Sequence, residues 1–117
     1  MSVNYAIVYR NNQTTDTDKL MPVAGDKSYK LYWKKPGIEL GLLLVSEFEY
    51  LYTDKYDIVK QIIDELGILK SYWENQIITP ISPDVIQSQL ERIDSVIEKL
   101  QSALENWDEI DHIAFGG

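Results

Sequence analysis

The single histidine of the chain, His112, sits among Asp108, Glu109 and Asp111, the only place where an imidazole and several carboxylates fall close together. Such a group has the ligand types for a divalent cation, provided a helix continued through residue 112 and brought Asp108 (i−4) and Glu109 (i−3) onto one face. The plainer reading is a cation near a helix C-terminus, favoured by the helix dipole. With one histidine and no cysteine the chain offers no two-histidine zinc motif and no thiolate site, so no metal and no cofactor is expected.

Carboxylate pairs such as Glu47 with Glu49, or Asp64 with Glu65, are neighbours in sequence. Acid–base chemistry needs two groups that converge on a cleft with their pKa values pushed apart, which adjacency does not supply. Asp16-Thr17-Asp18 starts like a calcium loop but lacks the glycine and glutamate that complete one. The glycines build neither a phosphate loop nor a dinucleotide fingerprint, and there is no GxSxG elbow. These residues point away from an enzyme; one with an unrecognised carboxylate or tyrosine site is the remaining alternative.

Lysines 27, 30, 34 and 35 interleave with Tyr29, Tyr32 and Trp33. On a strand, Tyr29 and Trp33 would turn inward and leave Tyr32 alone among the lysines. One ring makes a poor platform for stacked bases, so no nucleic-acid partner is expected. The longest apolar run, residues 42–45, is far short of a membrane span. Met1 to Arg10 does not read as a signal peptide, and the absence of cysteine fits a reducing compartment. The expectation is a cytoplasmic protein, of bacterial type, with no membrane partner.

Charge is the clearest signal. The net charge is −8 over 117 residues. Six basic residues against three acidic ones fall within residues 1–37, and five against sixteen in the rest. A field of that sign repels nucleic acid and anionic lipid and attracts basic proteins.

Residues 3–10 read as a strand with apolar residues on both faces, suited to a sheet interior. Residues 11–19 read as a polar loop, and 20–27 as an irregular connection. Ser28–Lys34 alternates as a half-buried strand; Pro36-Gly37 suits a type II turn, and a strand over 38–45 would complete a hairpin. Ser46 and Glu49 have the form of a capping box, after which apolar residues recur at helical spacing to Gly67, a natural terminator. Residues 47–66 are read as one helix, as two pieces restarting near Asp54, or as a strand running on through Phe48, Tyr50 and Tyr52. Residues 68–78 suggest a short helix or an extended stretch before Pro80.

Ser82-Pro83-Asp84 opens a long helix with a heptad-like stripe of Ile86, Leu90, Ile93, Ile97, Leu100, Leu104 and Trp107, widened by Val96 and Ala103. The tail is expected to fray, and residues 111–117 are read as flexible. The fold expected is thus a single α+β domain: a small antiparallel sheet mainly from residues 1–45, packed against two or three helices from 46–110. The function expected is a small acidic protein-binding module, of inhibitor or immunity type, that docks on a basic partner. Glu91, Glu98 and Glu105 on the polar face of the last helix, with Tyr32 and Trp107, are the candidate partner-facing residues. The alternative is a homodimer or assembly subunit joined through the C-terminal helix.

Overall fold

The computed structural model describes residues 2–10, 20–76 and 80–117. The sequence reading of the polar loop at 11–19 and of the extended end at 77–79 lies outside them. The chain is an α+β domain with a four-stranded antiparallel sheet and a layer of helices, the last of them long. The strands are β1 (Ser2–Tyr9), β2 (Met21–Gly25), β3 (Tyr50–Thr53) and β4 (Ile110–Gly116), ordered β2-β1-β4-β3. The sheet thus draws strands from both ends of the chain, and residues 26–40 are helical rather than β.

In β1, Val3, Tyr5 and Ile7 share one face and are buried, as the alternation predicts. The strand lies inside the sheet, between β2 and β4. Residues 21–25, read as an irregular connection, pair with it as an edge strand.

The predicted hairpin over 28–45 is replaced by a continuous helical segment. It comprises α1 (Asp26–Tyr29), a widened π turn over Lys30–Lys34 and α2 (Lys35–Leu40). Tyr29 and Trp33 are fully buried, which a strand (i, i+4) and a helix (i, i+4) both deliver. Leu31 separates the two: a strand would turn it inward with them, and here it is 54% exposed. Pro36 sits inside the helix instead of opening a turn. It has no N–H for the carbonyl of Tyr32, and the helix widens there. The indole Nε1 of Trp73 donates to that carbonyl at 2.8 Å and takes the place of the missing bond. The helix ends at Gly41, left-handed at φ 75°, with Leu42 N donating to Gly37 O across the last turn. Glycine is the residue that holds this geometry without strain.

Residues 42–49 run irregularly through the core, with Leu42, Val45 and Phe48 buried. Buried backbone needs partners, and two side chains provide them. Tyr29 Oη donates to Val45 O at 2.6 Å and accepts from Phe48 N at 3.1 Å. Glu65 Oε1 accepts from Leu44 N at 2.9 Å and from Val45 N at 3.0 Å. The capping box does not form: Ser46 Oγ donates to Leu43 O, and Glu49 pairs with Lys34. Two of the alternatives for residues 47–66 are each realised in part: a strand at Tyr50–Thr53, β3, which leaves out Phe48, and a helix that starts just after Asp54.

Helix α3 (Tyr56–Glu74) starts close to the restart read near Asp54 rather than at residue 47, and passes through Gly67. A glycine inside a helix costs about 1 kcal/mol. Burial of Val59, Ile62, Leu66, Leu69 and Trp73 along one face outweighs it. Helix α4 (Pro83–Glu105) starts as predicted, with Pro83 in the first turn. Its buried line is Gln89, Ile93, Val96, Leu100 and Ala103, rotated from the predicted stripe towards Val96 and Ala103. Ile86, Leu90, Ile97 and Leu104 flank it half-buried. The stripe packs on α3 and joins the core formed with the sheet.

The largest correction is the C-terminus. Residues 110–116, read mostly as a flexible tail, form β4, an interior strand between β1 and β3. Phe115 stacks on Tyr5 and on Phe48, with ring centroids 5.4 and 4.2 Å apart.

Two buried tyrosines set a limit at high pH. Burial pushes the Tyr5 hydroxyl up to about 12, and burial, slightly offset by the Phe48 amide, pushes Tyr29 further in the same direction. In the unfolded chain each ionises near pH 10, and in the folded chain neither does. The native state therefore holds more protons above pH 10, and stability falls there by about 1.4 kcal/mol per pH unit for each tyrosine. Unfolding monitored by far-ultraviolet circular dichroism should begin above pH 10. The Tyr29→Phe variant should show a shallower alkaline slope than the wild type.

A candidate acidic and aromatic docking surface

One face of the sheet is packed under the helices; no described element packs on the other. Register places Asn4, Ala6 and Val8 of β1, His112 and Ala114 of β4, and Tyr50 and Tyr52 of β3 on this open side. None of these paired residues is Asp, Glu, Lys or Arg, although such faces are ordinarily the polar side of an antiparallel sheet; Asp111, at the register shift of β4, brings a carboxylate to its margin. Tyr50 and Tyr52 are 90% and 62% exposed. Tyr52 lies against the His112 ring, centroids 4.7 Å apart, and His112 Nδ1 contacts Asp111 Oδ2 at 2.7 Å.

Strand β3 leads through Asp54 and Lys55 into Tyr56, the first residue of α3. There it meets the end of α4. The Tyr56 ring sits edge-on to Trp107 at 6.1 Å. The two rings and Leu104 line an open bowl of about 420 Å³, completed by Glu105, Asn106, Asp108 and Glu109. The placement of these carboxylates runs against local stability. The C-terminus of a helix carries a partial negative charge that favours Lys or Arg. Here the last turn of α4 has no basic residue, and Glu105, Asp108, Glu109 and Asp111 crowd its end. From Asp84 to Asp111 there are eight acidic residues against Arg92 and Lys99. Aromatic faces edged by carboxylates hold a guanidinium or ammonium group well, by cation–π attraction and by charge.

The residues singled out from sequence are only partly brought together. Glu91, Glu98 and Glu105 are exposed and recur every seven residues along the outer side of α4, the last of them on the rim of the bowl. Trp107 is half-buried in its wall. Tyr32 lies elsewhere: it packs edge-on against Trp73 at 5.8 Å, by a shallow groove with Asp84, Ser88 and Arg92 at the start of α4. A 23-residue helix separates the two ends by about 34 Å, so Tyr32 and Trp107 do not belong to one site.

The arrangement imagined around His112 also changes. Asp108 and Glu109 lie in a 3-10 turn (Trp107–Glu109) and His112 on β4, so no common helix face exists. Among the described residues no group of three or more His, Asp or Glu is placed to hold a metal ion, and no helix is long and apolar enough to cross a membrane. Tyr50, Tyr52 and Tyr56 were not singled out from sequence. The signal for the first two was the alternation Phe48, Tyr50, Tyr52, which competes with helical spacing over the same residues. No protein-family model, curated protein or solved structure matches this chain.

Proposed function

We propose that the protein is a non-enzymatic binding module that captures a basic segment of another protein at the end of α4. The observation that carries this reading is the bowl itself: Tyr56 and Trp107 in edge-on contact, rimmed by Glu105, Asp108 and Glu109. Glu91 and Glu98 extend the same negative field along α4. They favour encounter over long range, whereas the groups in the bowl hold what arrives.

The test uses a ten-residue peptide of alternating arginine and valine, with a glutamate–valine peptide as control. Nitrogen–proton NMR follows the indoles: those of Trp33 and Trp73 are hydrogen-bonded to Gln89 and to the Tyr32 carbonyl, so movement of the Trp107 signal alone reports the bowl. The arginine peptide should move it and the glutamate peptide should not. Affinity should fall steeply as salt rises past about 0.15 M, where charges are screened beyond roughly 8 Å. Replacing Glu105, Asp108 and Glu109 together with Lys should weaken binding at least tenfold. A charge-matched change of Asp84, Glu91 and Glu98 to Lys should slow association and leave dissociation nearly unchanged. A Trp107 signal that ignores the arginine peptide at low salt, or equal losses in the two triple variants, would overturn the reading.

A further inference from the structure

We propose that the free edge of β3 receives the partner's basic segment as a fifth strand of the sheet, a reading that rests on the binding function above. The hydrogen-bond phase of β3 leads to it. Gly117 N donates to Glu49 O at 3.3 Å, which makes 49/117 a bonded pair. Bonded and non-bonded pairs alternate in an antiparallel ladder, so Leu51 with Phe115 and Thr53 with Ile113 are bonded in turn. The N–H and C=O groups of Tyr50 and Tyr52 therefore point away from β4, along the outer edge of the sheet. Among the described residues no strand pairs with that edge.

The two edges of the sheet differ. Strand β2 carries Pro22, and its pairing with β1 is broken by a register shift; both features blunt an edge against further pairing. Strand β3 pairs in continuous register and contains no proline. The outward main-chain groups of its two tyrosines leave a four-point site beside the open sheet face. Addition of a strand to such an edge draws affinity from main-chain bonds and selectivity from the side-chain surroundings.

Those surroundings choose the occupant and its orientation. The Tyr50 end adjoins Lys30 and Lys34, which are paired with Asp26 and Glu49. The Thr53 end leads to Asp54, Asp57 and the bowl at Tyr56 and Trp107, with Asp111 nearby on β4; Lys55 lies in the same stretch, and the Arg10 guanidinium is bonded to the Ile110 carbonyl beside it. An added strand with Arg or Lys beyond Thr53 places those groups in the bowl. A second copy of this chain is disfavoured at the same edge, because it brings its own acidic flanks and a net charge of −8.

The arginine–valine peptide serves as the probe again, with amide hydrogen exchange as the readout. Binding should slow exchange at Tyr50 and Tyr52. The Tyr52→Pro variant loses one outward donor but none of the ladder to β4, and should bind at least tenfold more weakly while keeping its circular dichroism spectrum; Tyr52→Thr should bind within about threefold of wild type. Should the proline variant not fold, the same loss is expected when the peptide is N-methylated at alternate residues. If the proline variant and the methylated peptide both bind like their parents while the Glu105, Asp108 and Glu109 triple variant does not, strand addition is overturned and the binding function stands. If wild type ignores the peptide, both fall. Protection of Tyr50 and Tyr52 that rises with protein concentration in the absence of peptide would make a second copy the occupant and overturn the proposal.

Discussion

A chain ending at Glu109 is expected to be unfolded under conditions where the full chain is native. The missing residues 110–117 contain the whole of β4, which pairs on one side with β1 and on the other with β3. Without it the two strands lose their common partner and β3 has no sheet to join. Ile110, Ile113 and Phe115 are each at most 4% exposed. Truncating such a residue to alanine alone costs about 2–5 kcal/mol, against a total stability of about 5–15 kcal/mol for a typical domain. Circular dichroism and the dispersion of amide proton signals in NMR check this directly. A truncated chain that retains native dispersion would show that residues 110–117 do not form the interior strand.

Replacement of Glu65 by alanine should be the most damaging single change at a polar position. Glu65 is 7% exposed, and its Oε1 accepts two backbone N–H groups from the irregular segment that threads the core. A carboxylate accepting two amides makes charge-assisted bonds, and its removal leaves buried donors at residues 44 and 45 without a partner. Each such donor costs about 1–3 kcal/mol, so the loss of both should be roughly 2–6 kcal/mol. Glu65→Gln keeps an acceptor oxygen in the same place and should lose only about 1–2 kcal/mol. Urea unfolding of the two variants measures the difference as a shift in midpoint at constant slope. Equal midpoints for Glu65→Ala and wild type would mean that the carboxylate does not hold residues 44 and 45.

Both predictions concern residues whose importance was hidden in the linear order. The reason differs in the two cases. Residues 110–116 follow a strong helix pattern and the acidic pair Asp108 and Glu109, so local reading extends or frays the helix. Their pairing with residues 4–9 spans more than a hundred positions, and no local signal encodes that partner. Glu65 sits at a helical position that looks solvated, beside Asp64. Only the arrival of the 42–49 segment makes it an interior acceptor. The helical segment from Asp26 to Leu40 shows a third kind of ambiguity. Tyr29 and Trp33 are four apart, a spacing common to both periods, and Pro36 argued for a turn. The indole of Trp73, forty-one residues from Tyr32, supplies the hydrogen bond that lets the helix pass the proline.

Patterns within one element and its neighbours were enough to place β1 as an interior strand, to start α4 at Pro83, to turn its apolar stripe inward and to locate the acidic surface along Glu91, Glu98 and Glu105. Strong periodicity, a cap with proline behind it and net charge are properties of the chain alone, and tertiary contacts had no reason to override them. The tertiary structure decided the remainder: which strands pair, which edge is left open, and that Tyr56 and Trp107 meet among carboxylates. Those are contacts between residues far apart in sequence, set by how the helices share one core with the sheet, and side-chain types and spacing along a chain carry no record of them.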